Sequence, residues 1–128
     1  MTTVLVVDDE PDIRMLLRMM LEPTGVDVIE ASNGEDCLAR VDAGGVDVMV
    51  LDLLMPGMDG FAVLEGLRGR GLIDALPVLV LSAHADQTSA REALQAGCVG
   101  YINKPFATAE VLAALAEAVG RERHGPDG

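Results

Sequence analysis

Aromatic residues are scarce in this 128-residue chain, which contains two Phe, one Tyr and no Trp. The three aromatic residues are Phe61, Tyr101 and Phe106. They are too few to form the stacking platform on which proteins bind single-stranded nucleic acid. Half of its residues are nevertheless apolar. We therefore expect one domain with an aliphatic core.

Basic residues are also few. Nine Lys and Arg residues stand against twenty-one Asp and Glu residues, which gives a formal net charge of −12. A surface of that sign repels phosphate backbones and anionic lipid headgroups. We expect this chain to bind neither nucleic acid nor membranes.

Cysteine and long apolar runs are lacking as well. Cys37 and Cys98 are far apart in the sequence and match no metal-binding spacing, which favours two reduced thiols. The apolar run that follows Thr2 is too short for a membrane span and has no basic region before it, as a signal peptide would. These features predict a cytoplasmic protein.

The most informative stretch that is present is 46–60, VDVMVLDLLMPGMDG. Its apolar run is too continuous for a half-exposed strand and too short for a helix, which favours a strand buried on both faces of a parallel sheet. Asp52 closes the run, and a loop containing Pro56 and Gly57 follows. A carboxylate at that point is either a turn residue or a functional group, since doubly wound proteins keep their chemistry at the carboxyl ends of strands.

Strand-like and helix-like segments alternate five times along the chain. This alternation predicts a doubly wound α/β domain, a five-stranded parallel sheet with five helices on its two faces. Arg14 and Arg18 fall on the outer side of the first helix, and Glu30 belongs to an edge strand. Leu94 is the only large apolar residue of the fourth helix, about 86–96, so we expect that helix to be weakly held. The domain is predicted over residues 1–120, with a polar tail at 121–128.

Four of the predicted strands end at polar residues. These are Asp8 and Asp9 after the first strand, Asp52 after the third, Ser82 after the fourth and Lys104 after the fifth. In a doubly wound sheet all four ends share one edge. Three carboxylates close together repel unless a cation lies among them, and a few oxygen ligands fit Mg²⁺ better than Ca²⁺. Lys104 and Ser82 would then suit a phosphoryl group.

Taken singly, these residues also have ordinary structural explanations. Asp8 or Asp9 could cap the helix that follows Pro11, Ser82 could begin a turn, and Lys104 could be a solvated surface lysine. Their joint placement at one edge favours the functional interpretation.

Four segments resemble the receiver domains of response regulators in two-component signalling. They are VLVVDDEPDIR, VLDLLMPGMDG, VLVLSAHAD and GYINKPF, and the likeness runs in order from about Thr3 to Val119. The resemblance implies the flavodoxin-like sheet order 2-1-3-4-5 that is known for the chemotaxis receiver CheY.

The resemblance also implies a chemistry. Asp52 would be the phosphoacceptor, taking a phosphoryl group from the phosphohistidine of a sensor histidine kinase or histidine phosphotransfer protein. Asp9, Asp52 and the backbone carbonyl of Leu54 would ligate Mg²⁺ directly, and Asp8 would act mainly through water. Lys104 would contact a phosphoryl oxygen. Such a protein catalyses only its own phosphorylation and dephosphorylation, so it is not an enzyme in the usual sense.

By the same resemblance, Ser82 and Tyr101 are switch residues. The Ser82 hydroxyl, helped by the backbone N–H of Ala83, would bind the phosphoryl group, and Tyr101 would turn inward into the space that is vacated. The face from the fourth helix through the fifth strand to the fifth helix would become the output surface. The Lys104–Pro105 peptide would be cis.

Two positions that vary in the family are implied to tune dephosphorylation. They are Leu54 and His84, two residues after Asp52 and Ser82. We hypothesise that the apolar Leu54 orients no attacking water and lengthens the lifetime of the acyl phosphate. His84 either helps water or is inert.

Three alternatives remain. A haloacid-dehalogenase-type phosphatase needs a second Asp where Leu54 stands, and a flavodoxin-like electron carrier would find its phosphate repelled by Asp8 and Asp9. A pseudo-receiver that binds partners without phosphorylation usually lacks one of the acidic or lysine residues kept here. The output partner, and whether the chain acts as a monomer or as a phosphorylation-induced dimer, alone or within a larger regulator, are left open.

Overall fold

The computed structural model describes residues 2–83 and 87–123 of the chain. Its centre is a five-stranded parallel sheet with the order β2-β1-β3-β4-β5, which confirms the predicted doubly wound architecture. The strands are β1 (Thr3–Val7), β2 (Asp27–Ala31), β3 (Val48–Asp52), β4 (Val78–Ser82) and β5 (Gly100–Asn103).

Five helices connect and cover the strands, with a short 3-10 turn at Glu22–Thr24 after the first. The last helix extends beyond the predicted domain boundary at residue 120, so the first three residues of the predicted tail continue it. Within the described residues, no helix is both long enough and apolar enough to span a bilayer. The helices are α1 (Pro11–Leu21), α2 (Gly34–Ala43), α3 (Gly60–Gly69), α4 (Gln87–Gln95) and α5 (Thr108–Arg123).

Apolar clusters lie on both faces of the sheet. On β1, Leu5 and Val7 face the side covered by α2 and α3, while Val4 and Val6 face α1 and α5. Alternate side chains of a strand point to opposite faces, so a strand with helices on both sides needs apolar residues throughout. All five residues of β3 are also buried. The first four are apolar, and the last is the carboxylate residue Asp52.

Local signals fix where the helices begin. Pro11 occupies the first turn of α1, where a missing backbone N–H costs nothing. The side chains of Asn33 and Asp59 accept hydrogen bonds from the backbone N–H groups of Asp36 and Ala62 and so cap α2 and α3. Because α1 and α3 begin directly after the strand-end loops, these starts fix the lengths of the loops that form the functional edge.

Helix α4 contacts the core through a small residue. Ala93 is fully buried, whereas the side chain of Leu94 is 50 % exposed. Little apolar area of α4 is therefore buried, and we still expect this helix to be weakly held.

Candidate functional site

Polar residues gather at the edge of the sheet where the strands end. In the parallel pairing of β1 with β3, Val7 lies opposite Leu51, so the next residues, Asp8 and Asp52, are level with each other. On the other side, Ser82 at the end of β4 pairs with Asn103, the residue before Lys104. The sheet order thus brings four strand ends to one place, as predicted for this fold class.

Three carboxylates form a cluster at this edge. Asp8, Asp9 and Asp52 each offer a carboxylate oxygen, and these oxygens lie within 4.8 Å of one another. Asp8 and Asp52 are only 2 % and 5 % exposed, while Asp9 is partly open to solvent. Hard oxygen ligands with one open side are the ligand set of a small divalent cation that keeps some of its water.

Lys104 reaches across the sheet to this cluster. Its Nζ donates a hydrogen bond to Oδ2 of Asp8 at 2.8 Å and lies 3.6 Å from Oδ2 of Asp52. The backbone N–H of Lys104 donates to the carbonyl of Ser82 at 2.8 Å, which ties the ends of β4 and β5 together. The Lys104–Pro105 peptide is cis. Among the residues that the structure describes, one ammonium group therefore faces three carboxylates, which gives the pocket a net negative charge.

The buried charges shift the pKa values of the site. Burial, followed by the negative charge of Asp8, raises the pKa of Asp52 to about 6, although Lys104 and the Leu54 N–H act in the opposite direction. Burial alone would lower the pKa of Lys104, but its hydrogen bond to Asp8 and the nearby carboxylates outweigh burial and raise it. Lys104 thus remains charged at neutral pH, and a cation among the carboxylates would favour the ionised form of Asp52.

The remaining predicted residues lie around this cluster. Ser82 is fully buried, and Ala83 beside it is exposed. Tyr101 lies on β5 opposite Val80 and is half-buried. His84 lies outside the described residues.

The sequence of the chain matches a known protein family. The sequence profile of the response regulator receiver domain matches residues 4–116. This chain belongs to the response regulator receiver family. It is therefore a receiver domain of a two-component system, as the resemblance of the four segments implied.

Curated relatives of this receiver domain are transcriptional regulators. It is 47 % identical over 121 residues to the transcriptional regulatory protein KdpE of Mycobacterium tuberculosis, covering 94 % of this chain and 52 % of that protein. It is 40 % identical over 111 residues to ResD of Bacillus subtilis, covering 87 % of this chain and 45 % of the relative. The receiver domain thus spans about half the length of these relatives.

Solved structures show the same fold. The Francisella response regulator 1452 receiver domain superposes with a TM-score of 0.88 at 30 % identity, covering 94 % of this chain and 98 % of that one. The Vibrio cholerae chemotaxis protein CheY4 gives a TM-score of 0.86 at 30 % identity, covering 92 % and 98 %.

The loop after Asp52 forms one side of the pocket. The backbone N–H of Leu54 donates to Oδ1 of Asp52 at 3.2 Å, while the Leu54 side chain is 51 % exposed. Gly57 has a φ of 75°, which its lack of a Cβ permits. The N–H of Gly60 then donates to the carbonyl of Leu53 at 3.0 Å and closes the loop. The loop thereby holds the backbone of Leu54 beside the Asp52 carboxylate.

Arg14 and Glu30 support the acidic end of β1, a role that their positions in the sequence did not indicate. Arg14 donates from Nη1 to the backbone carbonyl of Asp8 at 2.7 Å and from Nε to the Glu30 carboxylate at 2.9 Å. Partial burial acts to raise the pKa of Glu30, but hydrogen bonds from Arg18 and Arg14 outweigh it and hold this pKa below its ordinary value. The sequence held only a weak signal for this contact. Glu30 lies near the end of a strand, and Arg14 and Arg18 are four residues apart on one helix.

The two cysteines take no part in this site. Cys37 and Cys98 are buried free thiols in the structure. Burial raises the pKa of Cys37 to about 12 and that of Cys98 to about 11, so neither thiol is a nucleophile at neutral pH.

Proposed function

We propose that this receiver domain is a phosphoryl-accepting switch in which Asp52 takes a phosphoryl group from a phosphohistidine. The observation that carries the proposal is the buried Asp52 carboxylate, which lies beside two further carboxylates and 3.6 Å from the ammonium of Lys104. An Asp52 oxygen forms a bond to phosphorus as the bond from phosphorus to the imidazole nitrogen breaks, and that nitrogen keeps the electron pair. The donor is a sensor histidine kinase or a histidine phosphotransfer protein.

Mg²⁺ is the metal that this pocket suits. Asp9, Asp52 and the backbone carbonyl of Leu54 would ligate it, and Asp8 would bind through water. The support is the set of carboxylate oxygens within 4.8 Å of one another. The pKa of Asp52 is raised chiefly by burial and then by the negative charge of Asp8, and a bound cation would offset both effects. When bound, Mg²⁺ supplies the positive charge that neutralises the carboxylates and the phosphoryl oxygens.

Lys104 supplies the second positive charge. Phosphoryl transfer depends chiefly on in-line positioning and on neutralising charge on the equatorial oxygens. The ammonium lies between Asp8 and Asp52 and would contact a phosphoryl oxygen once Asp52 is modified. The domain thereby promotes its own phosphorylation and dephosphorylation and acts on no other substrate.

The conformational response involves Ser82 and Tyr101. The Ser82 hydroxyl and the backbone N–H of Ala83 would bind the phosphoryl group, and Tyr101 would turn inward. Support comes from position, because Ser82 is buried at the end of β4 and Tyr101 lies half-buried on the neighbouring β5. The output face, made of α4, β5 and α5, would change with them, and the weakly anchored α4 is the element best able to shift.

The phosphoryl donor would dock on α1. Met15, Leu16 and Met19 are 61 %, 44 % and 67 % exposed, and this helix begins directly after the acidic residues. Flexible methionines adapt to different partner surfaces.

The lifetime of the acyl phosphate would be set beside the pocket. The exposed, apolar side chain of Leu54 offers no hydrogen bond to orient an attacking water. His84 is the second position that we propose to tune this rate.

We assign the receiver to residues 1–120 together with the end of α5, which continues to Arg123, and we propose that it acts in the cytoplasm. Because KdpE and ResD are transcriptional regulatory proteins about twice its length, the domain would act on an output partner, either attached to it or separate. It would do so as a monomer or as a phosphorylation-induced dimer.

The direct test is the intact mass of the protein after incubation with acetyl phosphate, with Mg²⁺ and with chelator. We expect one added phosphoryl group in wild type with Mg²⁺ and none in Asp52→Asn. No gain in wild type under either condition would instead support the alternative function, a phosphorylation-independent binding module.

A further inference from the structure

We infer that Arg14 is a positioning residue for the metal site, acting on the peptide group that joins Asp8 to Asp9. The inference rests on the proposed Mg²⁺ site but concerns a residue that touches neither the metal nor the phosphoryl group. Its basis is a pair of hydrogen bonds that links the edge strand β2, helix α1 and the acidic end of β1.

The guanidinium group of Arg14 joins two acceptors that lie on different elements. Its Nη1 donates to the backbone carbonyl of Asp8 at 2.7 Å, and its Nε donates to Oε1 of Glu30 at 2.9 Å. The Arg14 side chain is only 16 % exposed. Its planar fork suits two acceptors at a fixed angle, and both hydrogen bonds are strengthened by its charge.

The carbonyl that Arg14 holds belongs to a rigid unit. The Asp8 carbonyl and the Asp9 N–H are parts of one planar peptide group, so fixing the oxygen also fixes the direction in which the chain enters Asp9. The N–H of Asp8 donates to the carbonyl of Ala31 at 3.2 Å. The end of β2 therefore holds Asp8 twice, directly through Ala31 and through the Glu30 carboxylate that fixes Arg14.

Asp9 gains most from this support. Asp8 has further restraints, because its two carboxylate oxygens accept hydrogen bonds from the Glu10 N–H at 2.9 Å and from Lys104 at 2.8 Å. Asp9 is the partly open member of the cluster. Mg²⁺ demands nearly ideal octahedral geometry, so a rotated Asp8–Asp9 peptide would weaken its binding.

Arg18 offers a matched control one turn along the same helix. Its Nε donates to the other Glu30 oxygen, Oε2, at 2.8 Å, and its Nη1 donates to the Glu22 side chain rather than to the acidic loop. Replacing either arginine by Met keeps the apolar stem, removes one positive charge and removes one hydrogen bond to Glu30. Only Arg14→Met also removes the hydrogen bond to the Asp8 carbonyl, whereas Arg18→Met removes one to Glu22.

Charge and geometry make opposite predictions for Arg14. Removing a cation close to the pocket should, by electrostatics alone, tighten the binding of Mg²⁺. Losing a residue that orients the ligands should weaken it, and changes in the residues that support metal ligands typically cost roughly 10- to 100-fold in affinity. The direction of the change thus separates the two explanations.

The experiment is a calorimetric titration of Mg²⁺ into wild type, Arg14→Met and Arg18→Met at one pH and ionic strength. We expect Arg14→Met to bind about 10- to 100-fold more weakly than wild type. Arg18→Met should stay within about twofold, since solvent and salt screen its more exposed charge. Equal or tighter binding by Arg14→Met, or an equal loss in both variants, would overturn the inference.

Arg14→Lys keeps the test decisive if Arg14→Met does not fold. Lysine preserves the charge, but its single nitrogen cannot reproduce the fork that joins Glu30 to the Asp8 carbonyl. We expect weaker Mg²⁺ binding by this variant as well, and wild-type affinity would refute the positioning role. Failure of wild type itself to bind Mg²⁺ would refute the proposed metal site together with this inference, so the two failures are distinguishable.

Discussion

Lys104 and Asp8 form a hydrogen bond of 2.8 Å although 96 positions separate them in the chain. The same ammonium lies 3.6 Å from the Asp52 carboxylate, so its nearer partner is not the proposed acceptor. A phosphoryl group on Asp52 would bring additional negative charge toward Lys104. We therefore expect phosphorylation to draw the ammonium from Asp8 toward the new group.

Lys104→Met tests that role. We expect the rate of phosphorylation by acetyl phosphate to fall about 100-fold, because one preorganised positive charge at the transferring group is lost. Binding of Mg²⁺ should be retained or tightened, since the competing cation is gone. Arg70→Met is the control. This substitution also removes one positive charge, but Arg70 pairs with Asp42 on α2 and lies away from the pocket. A wild-type phosphorylation rate in Lys104→Met would contradict the proposal.

Asp52→Asn should stabilise the metal-free fold at high pH. The folded-state pKa of Asp52 is raised from 3.8 to about 6, so folding of the ionised form carries a penalty that is absent below pH 4 and complete above pH 6. In chelator at pH 8, we expect the variant to gain on the order of 2–3 kcal/mol in free energy of unfolding. The gain should shrink as the pH falls toward 4.

Denaturant unfolding at both pH values, repeated with Mg²⁺, measures this effect. Mg²⁺ should reduce the difference in free energy of unfolding between Asp52→Asn and wild type, because it stabilises wild type. Asp42→Asn gives the contrasting case, because a hydrogen bond from Arg70 holds the pKa of Asp42 below its ordinary value despite a small opposing effect of burial. That variant should lose stability at pH 8. An Asp52→Asn protein no more stable than wild type in chelator would show that the raised pKa is wrong.

Gly60→Ala should distort the loop that follows Asp52. A Cβ at Gly60 would lie 2.6 Å from Cα of Leu53 and 2.8 Å from the carbonyl oxygen of Asp52, both of them backbone atoms. We expect a loss of about 1–3 kcal/mol in stability and slower phosphorylation. Gly69→Ala is the control in the same helix, because its Cβ would meet nothing within 4 Å and should add roughly 0.5–1 kcal/mol. Equal behaviour of the two variants in both assays would refute the packing argument.

Leu54→Asn should shorten the lifetime of the phosphorylated state. An amide at this exposed position can orient a water toward phosphorus, which the leucine cannot. We expect several-fold faster loss of phosphate after removal of the donor. Leu16→Asn makes the same substitution at an exposed position on α1, and it should leave the rate unchanged because no donor protein takes part in the loss of phosphate. If both variants lose phosphate at the wild-type rate, Leu54 has no tuning role.

Much of the fold could be predicted because it depends on local patterns. The apolar runs ending at Val7 and Asp52 fixed two central strands, and parallel sheets of this class place such ends at one edge. Helix α2 likewise begins at a local signal, because Asn33 precedes the acidic residues Glu35 and Asp36 and its side chain caps the helix. Candidate site residues followed from strand ends, and their roles followed from resemblance.

The contacts between elements could not be predicted in this way. Arg14 and Arg18 fall on the outer side of α1 by periodicity, yet both reach Glu30 on the neighbouring edge strand. That contact depends on how closely α1 packs against β2, which periodicity does not encode. The choice of Asp8 as the nearer partner of Lys104 likewise depends on the path of the backbone after β5. Leu94 shows the same limit, since the packing of α4 buries Ala93 instead.

The central claim is that Asp52 accepts the phosphoryl group, and the most direct measurement is to locate that group on the chain. Borohydride reduces an aspartyl phosphate to homoserine, which peptide mass mapping can place at a single position. After treatment with acetyl phosphate and Mg²⁺, we predict homoserine at Asp52, with Asp8 and Asp9 unchanged. Homoserine at Asp8 or Asp9, or at no position in the chain, would contradict the account.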